Sequence, residues 1–124
     1  MAALGSKLRT LEGGRVMFFC PGCKTGHQVT VETSPDRQGH VWGFNGSGDA
    51  PTFTPSVLVR GTQLELDENG KWTGEWLRDA NGEPLPMVCH TFVTDGRIQF
   101  LGDCTHALAG QTVDLPNQPY HEGA

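Results

Sequence analysis

The chain has no apolar run approaching the roughly eighteen residues that a membrane-crossing helix needs, and its first seven residues lack the apolar centre of a secretion signal. These absences lead to the expectation of a cytoplasmic protein without membrane association. A concentrated positive face is also missing. Arg9, Arg15, Lys24, Arg37, Arg60, Arg78 and Arg97 stand singly, and the net charge is −5. Nucleic acid held through its phosphates demands clustered cations, so that class of function is disfavoured. There is no internal repeat and no low-complexity tract, and 124 residues make one domain. Cysteine is scarce, with only four. In a reducing compartment such a set reads as metal ligands or buried thiols before it reads as two disulfides.

What is present is turn chemistry. With 17 Gly, 8 Pro and 36% hydrophobic residues, the composition favours short strands joined by turns. The expected fold is mainly β: a small antiparallel sheet of hairpins with a zinc-ribbon-like knuckle and at most one short helical turn. The expected organisation is a loose lead-in over residues 1–14, a single zinc-stapled domain over 15–116 and a disordered tail over 117–124. An acidic hairpin excursion is expected at 61–86, where Glu65, Asp67, Glu68, Glu75, Asp79 and Glu83 face only Lys71 and Arg78. Within it Asn69-Gly70 predicts a type I′ turn, and Trp72 and Trp76 either cap the sheet or present a partner-binding arm.

The knuckle is Cys20-Pro21-Gly22-Cys23, where a compact turn aims two sulfurs at one tetrahedral cation. Residues 15–19 read as the strand entering it and residues 27–31 as the antiparallel return; further strands are predicted at 40–44 and 56–60. The clearest hairpin is 88–93 with 97–101, joined by Asp95-Gly96. A two-residue turn places Val93 opposite Ile98 and His90 opposite Leu101. Side-chain alternation then puts Cys89, Thr91, Val93, Ile98, Phe100 and Cys104 on one face, and His90, Phe92, Gln99, Leu101 and Asp103 on the other. A slip of one residue would reverse these assignments on one strand. A helical turn at 106–109, ended by Gly110, and a short strand complete the pattern.

Two candidate sites follow. Cys89 and Cys104 become diagonal neighbours able to complete a four-thiolate zinc site with Cys20 and Cys23, closed and therefore structural; iron shares that tetrahedral geometry. His27 and His106 are the alternative ligands. On the opposite face a carboxylate beside an imidazole supplies two members of a nucleophilic triad, and Ser56, following Pro55 at a strand start, offers the hydroxyl. Ser56, His90 and Asp103 would be nucleophile, base and orienter, with N–H groups near residues 45–47 or at Ser56 receiving an oxyanion.

The elements Phe19-Cys20-Pro21-Gly22-Cys23 with His27, Trp42-Gly43-Phe44-Asn45-Gly46, Pro51-Thr52-Phe53-Thr54-Pro55-Ser56 and the long motif from Cys89-His90 through Asp103-Cys104-Thr105-His106 to Gly110 resemble a family of small phage and prophage proteins of unknown function, often mislabelled ammonia monooxygenase. That family is distantly similar to the BubE proteins of bacterial ubiquitin-like conjugation operons, which share a Pro-Ser element and a later strand histidine. The BubE similarity implies a serine peptidase acting on a ubiquitin-like modifier, with Ser56 as nucleophile and His90 as base. Nothing in it supports ammonia oxidation. Its metal ligands transfer less directly, because the BubE-like knuckle carries more cysteine. The leading expectation is a zinc-stabilised serine hydrolase. Beside it stand a non-catalytic phage-type zinc module that binds a host protein, and a zinc hydrolase using Cys20, Cys23 and His27 or His106 with an open water position.

Overall fold

The computed structural model describes residues 2–33 and 39–118. Strands β1 (Ala2–Leu4), β2 (Leu8–Leu11), β3 (Arg15–Cys20) and β4 (Thr25–Thr30) form a four-stranded antiparallel meander. After β5 (Gly43–Phe44) and β6 (Phe53–Thr62), the chain makes a separate two-stranded ribbon, β7 (Leu64–Leu66) and β8 (Trp72–Trp76). It then returns as β9 (Pro86–Thr94), β10 (Arg97–Phe100) and β11 (Thr112–Asp114), giving a second sheet in the order β11-β10-β9-β6-β5. Among the described residues there is no α-helix, so the mainly β expectation holds.

Alternation decides the packing. Val16, Phe18 and Cys20 of β3 turn inward, as do Cys89, Thr91 and Val93 of β9 and Ile98 and Phe100 of β10. Leu8, Val29, Phe53, Val57 and Leu115 complete the core between the sheets, where Phe18 stacks on Phe53 with ring centroids 6.2 Å apart. The β9–β10 register is the one the turn dictates, with Val93 opposite Ile98 and Phe92 opposite Gln99. Both turn residues have positive φ, 50° at Asp95 and 78° at Gly96, as a type I′ turn requires.

Residues 1–14 depart from the expected loose lead-in. From Ala2 onward they build β1 and β2, and Leu8 pairs with Phe18 and is completely buried. The segment is short of alternating pattern because its strands form on the edge that β3 offers. The expected disorder beyond Pro116 also begins too early. Gln118 is buried, its main-chain N–H donates to Ser6 O, and its side-chain amide donates to Met17 O. Residues 119–124 lie outside the described residues, as does part of the connection at 34–38. The strand predicted at 40–44 shrinks to Gly43–Phe44, because Trp42 N–H bonds to Thr30 O of the first sheet.

The acidic excursion is present, but its turn is not type I′. Asn69 does not adopt positive φ; Gly70 alone does, at 79°. Asp67 Oδ1 accepts the N–H groups of Asn69 and Lys71 and so stabilises a longer loop. Every residue of β8 is exposed, and Trp72 and Trp76 lie against each other with ring centroids 5.1 Å apart. Among the described residues no helix is long and apolar enough to cross a membrane.

Candidate active site and metal centre

The knuckle ends β3 and meets the second sheet. Cys20, Cys23, Cys89 and His106 each bring a ligand atom to one place, all within 4.8 Å of one another. Cys20 Sγ lies 3.7 Å from Cys89 Sγ, and Cys89 Sγ lies 3.6 Å from His106 Nε2. Main-chain N–H of Cys23 donates to Cys20 Sγ at 3.3 Å, which stabilises charge on that sulfur. Thiol hydrogen bonds from Cys23 and Cys89 hold Cys20 far below the ordinary thiol range, with His27 adding to the effect. The same bond to Cys20 pushes Cys23 up to about 12, and bonds to Cys20 and Cys23 push Cys89 well upward. Burial lowers the pKa of His106, favouring the neutral imidazole that binds metal.

Three sulfurs and one imidazole suit a tetrahedral thiophilic ion such as zinc. The backbone is shaped for it: a Cβ at Gly22 would lie 2.2 Å from the His106 ring, so the knuckle and that ring meet only because residue 22 has no side chain. The group spans the two sheets, with Cys20 at the end of β3, Cys23 in the turn that follows it, Cys89 on β9 and His106 in the connection from β10 to β11.

Cys104 is not in this group, which corrects the four-thiolate expectation. Its place is taken by His106, one of the two alternatives. Regular pairing of β10 ends at Phe100, and a turn closed by Cys104 N–H to Leu101 O redirects the chain before residue 104. Alternation therefore no longer governs where that sulfur points. His27, the other alternative, is buried edge-on against Phe18, and its Nε2 has no hydrogen-bond partner.

On the other face of β9 the hydroxyl, imidazole and carboxylate come together. Ser56 Oγ is 3.0 Å from His90 Nε2, and His90 Nδ1 is 3.2 Å from Asp103 Oδ2. Cross-strand pairing of Leu58 with His90 brings β6 alongside, and a register shift between Phe53 and Val57 interrupts the ladder where Ser56 sits. The Thr54–Pro55 peptide before it is cis. The Trp42 indole N–H donates to Ser56 O at 3.1 Å and anchors this stretch from the first crossing segment, a contact that no sequence signal announces. The imidazole is about a quarter exposed and the carboxylate about half, at 27% and 55%.

In the loop at 45–49, the N–H groups of Asn45 and Ser47, read from the sequence as oxyanion donors, are already engaged. Asn45 N–H is bonded to Thr52 O, and Ser47 N–H to Asn45 Oδ1. Asn45 instead organises the loop, its side chain also accepting from Thr52 N–H and donating to Ala50 O.

Residues 5–101 match the family described as bacterial ubiquitination-like system serine protease (BubE). The chain belongs to the BubE family. The matched span contains Ser56, His90, Cys20, Cys23 and Cys89, and stops short of Asp103 and His106. The BubE similarity implied by the Pro-Ser element and the strand histidine is thereby established for this chain. No curated protein and no solved structure matches it significantly.

Proposed function

We propose that this BubE-family protein is a serine hydrolase of the peptidase type, acting on a ubiquitin-like modifier or a related acyl linkage. The observation that carries the reading is the continuous chain Ser56 Oγ, His90, Asp103 on one open sheet face. His90 Nε2 accepts the Ser56 proton as Oγ attacks the carbonyl carbon, and Asp103 holds the Nδ1–H tautomer and steadies the imidazolium. The imidazolium then gives its proton to the leaving group. Water, deprotonated by the same imidazole, releases the acyl group and restores Ser56. The Ser56 main-chain N–H, in the interrupted part of the ladder, is the donor best placed for the oxyanion.

A substrate of protein size is supported by the open apolar surface beside the imidazole, and two clefts of the structure lie elsewhere. One of about 170 Å³ lies between the knuckle and the base of the excursion, lined by Cys23, Leu64, Met87 and His106 among others; the second lies between the sheets near Trp42. Neither is lined by Ser56, His90 or Asp103. Leu58 and Phe92, each 43% exposed, flank the imidazole on a surface suited to a chain lying across it. The exposed Trp72 and Trp76 favour a further protein contact on the excursion, and that contact would be the whole function in the non-catalytic reading.

Zinc is the metal we assign to Cys20, Cys23, Cys89 and His106. Held by these four residues, it would cross-link the two sheets and leave no open position for chemistry.

Labelling with a fluorophosphonate probe tests the reading. Ser56→Ala is expected to abolish labelling while metal content and thermal stability stay at wild-type values. Equal labelling of the variant would remove Ser56 from the mechanism, and an unlabelled wild type would leave the binding-module reading.

A further inference from the structure

Cys104, expected among the thiolate ligands, lies outside both groups, yet among the described residues its sulfur has two hydrogen-bond partners, and both are on His90. It accepts the main-chain N–H of His90 at 3.3 Å and stands 3.3 Å from His90 O, to which it donates its S–H. The reason lies in the end of the hairpin. Leu101 faces His90, and its N–H does bond to His90 O. In an uninterrupted ladder Leu101 O would accept from His90 N–H in return. The turn over residues 101–104 diverts that carbonyl to Cys104 N–H. His90 N–H would then be left unmet next to the core, at a cost comparable to a lost hydrogen bond. The Cys104 sulfur substitutes for the diverted carbonyl. The same turn carries Asp103 under His90 Nδ1.

From this geometry we infer that Cys104 is a positioning residue: its thiol clamps the main chain of His90 while the adjacent Asp103 holds the imidazole, so that turn and strand move as one unit. A sulfur suits the place because it is buried, 8% exposed, and bonds at longer range than a hydroxyl. The clamp rests on the catalytic reading for its consequence and on the hydrogen bonds alone for its existence.

The test uses the zinc-loaded full chain with Cys104→Ala, Cys104→Val and Cys104→Ser. Removing the clamp is expected to expose the His90 amide to faster hydrogen exchange, measured by NMR, with one zinc per chain retained. It should also lower the maximal rate of fluorophosphonate labelling on the order of tenfold, the scale set by small misplacements of catalytic groups, without weakening probe binding. Cys104→Ser keeps a donor and an acceptor and should recover most of both effects; Cys104→Val fills the space without either bond and decides the matter if the alanine variant does not fold. Loss of zinc in these variants would make Cys104 a ligand and overturn the inference. So would unchanged His90 exchange and labelling, or a serine variant no better than valine. If the wild type does not label at all, the hydrolase reading falls, while the exchange measurement still decides whether the clamp exists.

Discussion

Cys89 and His90 are consecutive on β9, yet they belong to two different chemistries. Cys89 faces inward, 1% exposed, into a group of sulfurs that links the sheets; His90 faces outward, next to a hydroxyl and a carboxylate that solvent reaches. The same doubling occurs across the turn beyond β10, where Asp103 serves the outer face and His106 the inner one. A strand of period two thus keeps a candidate metal ligand and a candidate base within one residue of each other on opposite faces. One register, set by the Asp95-Gly96 turn, governs both faces, with the buried packing on the inner one.

The largest test of this asymmetry is to break the inner face. Cys89→Ser, or removal of zinc by a chelator, should abolish cooperative unfolding and probe labelling together, since structural zinc sites contribute on the order of 10 kcal/mol to folding. Circular dichroism and labelling measured on the same samples check this. Labelling lost from a chain that stays folded would instead point to a catalytic metal. Acid should act in the same direction: Cys23 and Cys89 are held above the ordinary thiol range, so metal binding displaces protons, and zinc affinity is expected to fall as pH falls.

A narrower break is Gly22→Ala. Its Cβ would lie 2.2 Å from the His106 ring, so the knuckle and that ring must separate. Zinc affinity should drop by roughly 10-fold or more, the scale of outer-shell disruption, as read by competition with a chromophoric chelator. Unchanged affinity would mean that His106 is not a ligand.

The smallest effect is expected away from both faces. Asp49 accepts hydrogen bonds from the Ser6 N–H and hydroxyl, tying the β1–β2 turn to the loop before β6. The Ser6 N–H, then its hydroxyl, hold the Asp49 carboxyl below its ordinary 3.8. A carboxyl lowered in the folded state stabilises at pH above its unfolded value and stops doing so as pH falls through the lowered one. Asp49→Asn should therefore lower the melting temperature slightly at neutral pH, and the difference should shrink in acid below the ordinary carboxylate range. A constant difference at all pH values would assign the effect to shape and not to charge.

Much of this was legible in the residues. Asp95-Gly96 set the register of β9 and β10, and from it the separation of Cys89 from His90 followed by parity. The knuckle announced half of the metal centre. Parity failed where the strand stopped: β10 ends at Phe100, so nothing in the spacing showed that residue 104 would turn back to the main chain of His90 while residue 106 reached the sulfurs. Asn45 looked like a donor near the serine, but its polar groups are consumed by its own loop. The first two strands were invisible because they draw their order from the edge of β3 and not from any pattern of their own.

The ribbon of β7 and β8 interrupts the chain between the strand bearing Ser56 and the strand bearing His90, whose ladder closes at Thr62 opposite Pro86. That leaves the ribbon as the loop of an oversized hairpin, about 14 Å along the ladder from the Leu58–His90 pair at some 3.4 Å per residue. Its exposed tryptophans therefore lie beyond the end of the ladder and not on the strands that bear Ser56 and His90. Trading the ribbon for one of different length or charge would alter that surface and leave the Ser56–His90–Asp103 contacts untouched.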